Sequence, residues 1–278
     1  MVSQETDPKE TIIEPRFHHP QSETLGRGSK GSGECLWPDR QWGRKLPVEM
    51  ITWVHEQANG RAISQNTYFR SLVNGEMSRE QFASTQRQFF FAVRYFSRPM
   101  AALMARQPSS SLRQGLIHNL MEEHGSAEDG SRMDPALSHD RTFVRFLETL
   151  GAVGPGGLDR EGASVRAFNT SLMGTCLMEP VETAFGCLGV IEYVFADLSA
   201  LIGEAVVNRG WIDRKRLVHY TLHAEIDRRH AADFFQVVTE AWESGGEPRR
   251  AVEEGVHLGL HVFDRLYDDL WREARLKP

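Results

Sequence analysis

The chain has 278 residues, 40% hydrophobic and 25% charged, with a formal net charge of -6. That is enough for one sizeable globular domain or two small ones, and it leaves no cationic excess to neutralise the phosphates of a nucleic acid. No apolar run approaches bilayer length and the N-terminus has no apolar signal core, so no membrane partner is expected.

Cys35, Cys176 and Cys187 are widely spaced and form neither a disulfide framework nor a zinc motif, which suits a reducing cytoplasm. Arginine supplies most of the positive charge, the bias of a GC-rich bacterial genome. Residues 1–45, including His18 and His19, lack apolar periodicity and read as a flexible leader; residues 46–278 read as the domain. From Pro47 the pattern is helical almost throughout. A first helix stops near Gly60, a second runs from Gln65 to the turn signal Asn74-Gly75, and Ser78 caps a long third helix. Phe82, Phe89, Val93, Phe96, Met100 and Met104 form its apolar stripe, read as core, with Arg87, Arg94 and Arg98 on another side.

The next helix, Ser111 to Glu123, carries Leu112, Leu116, Leu120 and then Glu123 on one face. Glu122 points away by about 100° and is the poorer candidate for a buried role. A turn-rich loop follows Gly125, and Ser138 is placed to cap a helix bearing His139, Phe143, Phe146 and Leu150 on one side. Another helix spans 164–179. The one after Pro180 sets Glu192 among Val181, Phe185, Leu188, Phe195 and Ile202, where a lone carboxylate needs a partner.

The stretch Leu217 to Val238 puts His223, Asp227 and His230 at i, i+4 and i+7, within about 60° of one another on a helix. Leu217, Tyr220, Phe234 and Val237 continue that face, so the polar triplet interrupts a core stripe. Two neutral imidazoles and a carboxylate are a ligand set for iron, manganese or zinc; the alternative is an Asp–His pair in a helical core, with Arg228 and Arg229 in solvent. Residues 242–248 read as a turn. The last helix, 249–276, carries a second pair, His257 and His261, without an acidic ligand nearby, and its Gly255 and Gly259 suggest close helix packing.

NLMEEHG at 119–125, SHDRTF at 138–143, GVIEYVF at 189–195 and HAEIDRRH at 223–230 together resemble the heme-oxygenase-like diiron oxidases, iron-containing redox enzymes of the TenA-like fold. The resemblance spans roughly Pro47 to Leu276. It implies an all-α, single-domain heme-oxygenase-like bundle and a metal set of Glu123, His139, Glu192, His223, Asp227 and His230. It further implies two iron ions, O2 as co-substrate and an external reductant. Arg94 falls where members carry a further glutamate, and is expected to contact an anionic substrate group. The implied reaction is oxidation of a small amine or amino-acid-like metabolite in natural-product biosynthesis, by N-oxygenation or by C–C or C–N fragmentation. A metal-free oxidase of the same fold and a non-enzymatic binding bundle are the alternatives. The partners expected are the small-molecule substrate, a redox protein and a second copy of the chain.

Overall fold

The computed structural model describes residues 46–127, 130–153 and 160–276. The proposed leader, 1–45, lies outside the described residues. Among the described residues ten α-helices follow in order: α1 Val48–Arg61, α2 Thr67–Val73, α3 Arg79–Arg106, α4 Ser110–Glu123, α5 His139–Leu150, α6 Ala163–Met178, α7 Val181–Asn208, α8 His219–Val237, α9 Thr239–Ser244 and α10 Gly246–Leu276. The described residues contain no strand, only an isolated bridge between Ser126 and Met133. The all-α expectation is met.

Helix α7 is the axis of the bundle, packed between α8 and α10. It corrects one expectation: an 18-residue window of it is long and apolar enough to cross a bilayer, with a mean hydropathy of 1.7. Its role here is different, since 83% of that window is buried within the protein. A helix that is hydrophobic on nearly every side belongs in the centre of a bundle as readily as in lipid.

Close approach of α10 to α7 rests on glycine, as the sequence suggests. A Cβ on Gly255 would stand 2.1 Å from the Thr183 carbonyl oxygen, and one on Gly259 2.5 Å from that of Cys187. On the other side, α8 is tied to α3 and α2 by a buried polar chain: the Tyr220 hydroxyl donates to Gln86 Oε1 at 2.5 Å, and Gln86 Nε2 donates to the Tyr68 hydroxyl at 2.8 Å. These contacts fix the rotation of α7 and α8, and so the direction of their polar side chains.

Two local expectations change. Ser138 stands at the N-cap position of α5, but its hydroxyl donates to Asp140 Oδ1 and to the Pro135 carbonyl and caps no helix N–H. The segment read as a turn after Trp242 is largely helical; the break is confined to Gly245 and Gly246, both at positive φ.

Gly255→Ala forces the α7 and α10 backbones apart and is expected to cost about 1–3 kcal/mol as overpacking. Gly174→Ala in α6, where nothing lies within 4 Å of the new methyl, is expected to be neutral or stabilising by up to about 1 kcal/mol. Thermal or urea unfolding of the two variants beside the parent checks both.

Candidate metal centre

Helix α8 presents His219, His223, Asp227 and His230 on successive turns along one face, and all four are buried. Each is met by a group from another helix. Glu123, at the end of α4, lies with Oε1 2.8 Å from Nδ1 of His139, the first residue of α5, in a contact out of line for a hydrogen bond. Glu192 of α7 approaches His230, with Oε2 3.8 Å from Nδ1. The loop from α4 to α5 makes the first pairing by doubling back: Asp134 N–H donates to the Gly125 carbonyl, and Gly125 sits at φ +94°. A Cβ there would collide with the Asp134 carbonyl, 2.1 Å away, so the return requires glycine.

His223 Nδ1–H donates to both oxygens of Asp227, at 2.9 and 3.1 Å. This leaves His223 Nε2 buried without a partner. His230 Nε2–H donates to Glu122 Oε2 at 2.8 Å, which turns Nδ1 toward Glu192 and Asp227, where it too has no hydrogen-bond partner. Glu192 Oε1 and His219 Nε2 are likewise buried and unpartnered. Buried polar atoms are nearly always satisfied, so several orphaned nitrogens and oxygens in one place call for a shared partner. Ligand atoms of Glu123, Glu192 and His230 lie within 4.8 Å of one another. Carboxylate oxygens and imidazole nitrogens are the donors that iron and manganese take, and these residues fit a divalent ion of that class.

A cavity of about 450 Å³, counting its open side, reaches the cluster. Its wall combines Glu123, His139, Glu192 and His223 with Phe89, Ala92, Val93, Phe96, Phe168, Ile191, Phe195 and Phe263.

A family model described as iron-containing redox enzyme matches residues 84–264, which hold every one of these polar groups. The chain belongs to that family. No curated protein matches it. Among solved structures it is similar to a CADD-like protein of unknown function from Nostoc punctiforme (16% identity, TM-score 0.66, 81% of this chain and 97% of that one). It is also similar to a domain of heme oxygenase-like fold from Shewanella denitrificans (12%, 0.60, 82% and 93%) and to a TenA homologue from Pseudomonas syringae (15%, 0.60, 83% and 94%). At such identities the likeness establishes the fold, which is heme oxygenase-like.

Within this iron-containing redox enzyme, Glu123, His139, Glu192, His223, Asp227 and His230 all converge on one buried region. Two further residues join them. Glu122, expected to face away, is buried and accepts from His230 and from the Arg229 guanidinium. The last turn of α4 is enclosed on both sides, so the 100° step between adjacent glutamates takes neither out to water. Arg229, expected in solvent, is therefore partly buried against that carboxylate. His219 has its ring 4.3 Å from that of His223 and its Nδ1 3.2 Å from the Thr142 hydroxyl; its signal in the sequence is the four-residue spacing to His223. Arg94 is exposed and does not line the cavity, so the expectation that it contacts the substrate is withdrawn; Ala92, Val93 and Phe96 stand on the cavity side of α3 instead. The pair His257 and His261 is exposed on α10, away from the cluster.

Burial governs the electrostatics. It pushes Asp227 up to about 8 against the opposing charges of His230 and His139. Burial and then the Asp227 charge push Glu192 up to about 7. Burial, helped by the nearby His139, drives His223 down to about 3, so this imidazole is neutral and free to donate a lone pair. His230 is carried well above its ordinary value: burial lowers it, but Glu122 and Glu192 outweigh that. The metal-free cluster thus stores protons that a bound cation must displace.

Anaerobic Fe(II) titrations at pH 6, 7 and 8 are expected to show affinity rising throughout, as Glu192 and Asp227 ionise and the proton held by His230 becomes easier to displace. A pH-independent affinity contradicts this. Glu122→Ala frees the His230 ring and is expected to lower Fe(II) affinity about 10- to 100-fold, with a circular dichroism spectrum like that of the parent.

Proposed function

We propose that this chain is a non-heme iron oxidase that uses O2 and an external reductant to oxidise a small organic molecule in the apolar cavity. The observation that carries the reading is the set of buried, unpartnered carboxylate and imidazole atoms at the cavity's inner end, in a chain of the iron-containing redox family. Glu123, His139, Glu192, His223, Asp227 and His230 would hold two iron ions. When bound, the metal supplies redox chemistry toward O2 and Lewis acidity.

The chain's own residues have definable tasks. The Asp227 carboxylate holds Nδ1–H of His223, fixing the tautomer that leaves Nε2 facing inward. Glu122 does the same for His230 from the opposite ring nitrogen. Glu192, pushed up to about 7 by burial and the Asp227 charge, would give up its proton as the cation takes its place among the ligands. The phenylalanines around the cavity keep water from the reacting atoms.

Oxidation of an amine, by N-oxygenation or by C–C or C–N cleavage within a biosynthetic route, is the finer form of this reading. A cytoplasmic location and a redox partner that delivers electrons belong to the same proposal. Because α3 turns only Phe89, Ala92, Val93 and Phe96 to the cavity and contributes no carboxylate there, the two ions should differ in affinity. Anaerobic titration with Fe(II) is expected to give two ions per chain, the second at least about tenfold weaker for want of an anionic ligand. O2 uptake by the reduced, loaded protein is expected to fall at least about tenfold in Glu192→Ala. Absence of bound iron would favour the metal-free alternative and end the iron reading.

A further inference from the structure

The cavity's polarity is confined to one end, and this limits what it accepts. Taking the cavity as the substrate pocket of the oxidase proposed above, we infer that the substrate has a single polar end on a compact apolar body. Molecules bearing a second charge at the far end of that body are rejected.

The ring contacts give the cavity a direction. His223 lies at the cluster end; its ring is 5.3 Å from Phe195, which is 5.8 Å from Phe263, which is 5.9 Å from Phe168. Phe168, three ring contacts along, is in ring contact with Phe263 and with none of the cluster's imidazoles among the described residues, and is assigned to the end remote from the cluster. Phe89, Phe96 and Ile191 complete the apolar wall between α3 and α7. Every polar side chain in the lining, namely Glu123, His139, Glu192 and His223, belongs to the cluster. Among the described lining residues there is no Lys, Arg, Ser, Thr, Asn or Gln. The partly exposed lining residues, Val93 and Phe96, are apolar as well.

A polar head is therefore met only where the chemistry takes place. A charge at the opposite end of the body would face phenyl rings with no hydrogen-bond partner, and the cation–π attraction open to an ammonium there is smaller than the hydration it gives up. An aromatic body gains from the same surroundings through edge and face contacts with the rings. Diamines, diacids and amino acids with charged side chains are excluded on this basis, while an apolar amine or acid is accommodated.

Rigid probes test this without knowledge of the substrate. 2-Phenylethylamine is compared with its para-aminomethyl derivative, and 3-phenylpropanoate with its para-carboxy derivative, by calorimetric titration into the iron-loaded protein under anaerobic conditions. In each pair the head is the same and only the remote charge differs. The singly charged member is expected to bind at least about tenfold more tightly in both pairs. Phe168→Arg, which places a cation at the remote end, is expected to narrow or reverse the gap for the carboxylates and leave it for the amines. Equal affinities within the pairs in the unaltered protein overturn the inference, as does failure of all four probes to bind. Iron content measured on the same sample separates this from failure of the oxidase reading. Protein without iron that still shows the preference refutes the oxidase and leaves the pocket; loaded protein without the preference refutes the pocket alone.

Discussion

Helix α8 must serve the core and the site with one face. His223, Asp227 and His230 lie between Tyr220 and Phe234, both fully buried, so the helix cannot turn its polar groups to water without exposing its packing. Desolvating an ion costs several kcal/mol unless its neighbours compensate. The rest of the bundle is arranged around that demand. Helix α7 brings Glu192, the end of α4 brings Glu122 and Glu123, and the start of α5 brings His139. The pairings among them are incomplete, with His223 Nε2, His230 Nδ1 and Glu192 Oε1 left without a hydrogen-bond partner. A network satisfied in part is a liability for a purely structural core, whereas it is what a metal centre requires of its protein.

Rigid scaffolding follows from the same demand. Ligand groups must be held within a few tenths of an ångström, which favours helices fixed by packing over loops. Glycine contacts seat α10 against α7, and the Tyr220–Gln86–Tyr68 chain prevents α8 from rolling. The one loop that takes part, between α4 and α5, is closed by backbone hydrogen bonds and by a glycine that no other residue can replace without collision. Fold and site therefore share their determinants: a change that lets α7 or α8 rotate would misplace Glu192 or His223 before it unfolded the domain.

Much of this is legible from periodicity. A polar triplet at i, i+4 and i+7 inside an apolar stripe is hard to mistake, and so is a glutamate among core residues at Glu192. What escapes has physical causes. Glu122 is hidden because a helical wheel predicts one buried face, while the last turn of α4 is enclosed on two. His219 lies one turn before His223, between Leu217 and Tyr220, which dominate the pattern there. Phe89, Val93 and Phe96 read as core because a cavity wall and a packed core use the same residues at the same spacing; only three dimensions show that the space beyond them is empty. Arg94 is assigned to the site by alignment alone, and a helix rotation of about 100° per residue is enough to move such a residue from cavity to solvent.

The central claim is that the orphaned carboxylate and imidazole atoms are metal ligands. X-ray absorption at the iron edge, recorded on protein loaded with Fe(II) and desalted, tests it most directly. The account predicts iron retained through desalting, a first shell of oxygen and nitrogen at about 2.0–2.2 Å, and the outer-shell scattering of coordinated imidazole, reduced in His223→Ala and His230→Ala. Iron lost on desalting, or a shell of oxygen alone with no imidazole signal, would contradict it and return the cluster to the status of a buried hydrogen-bond network.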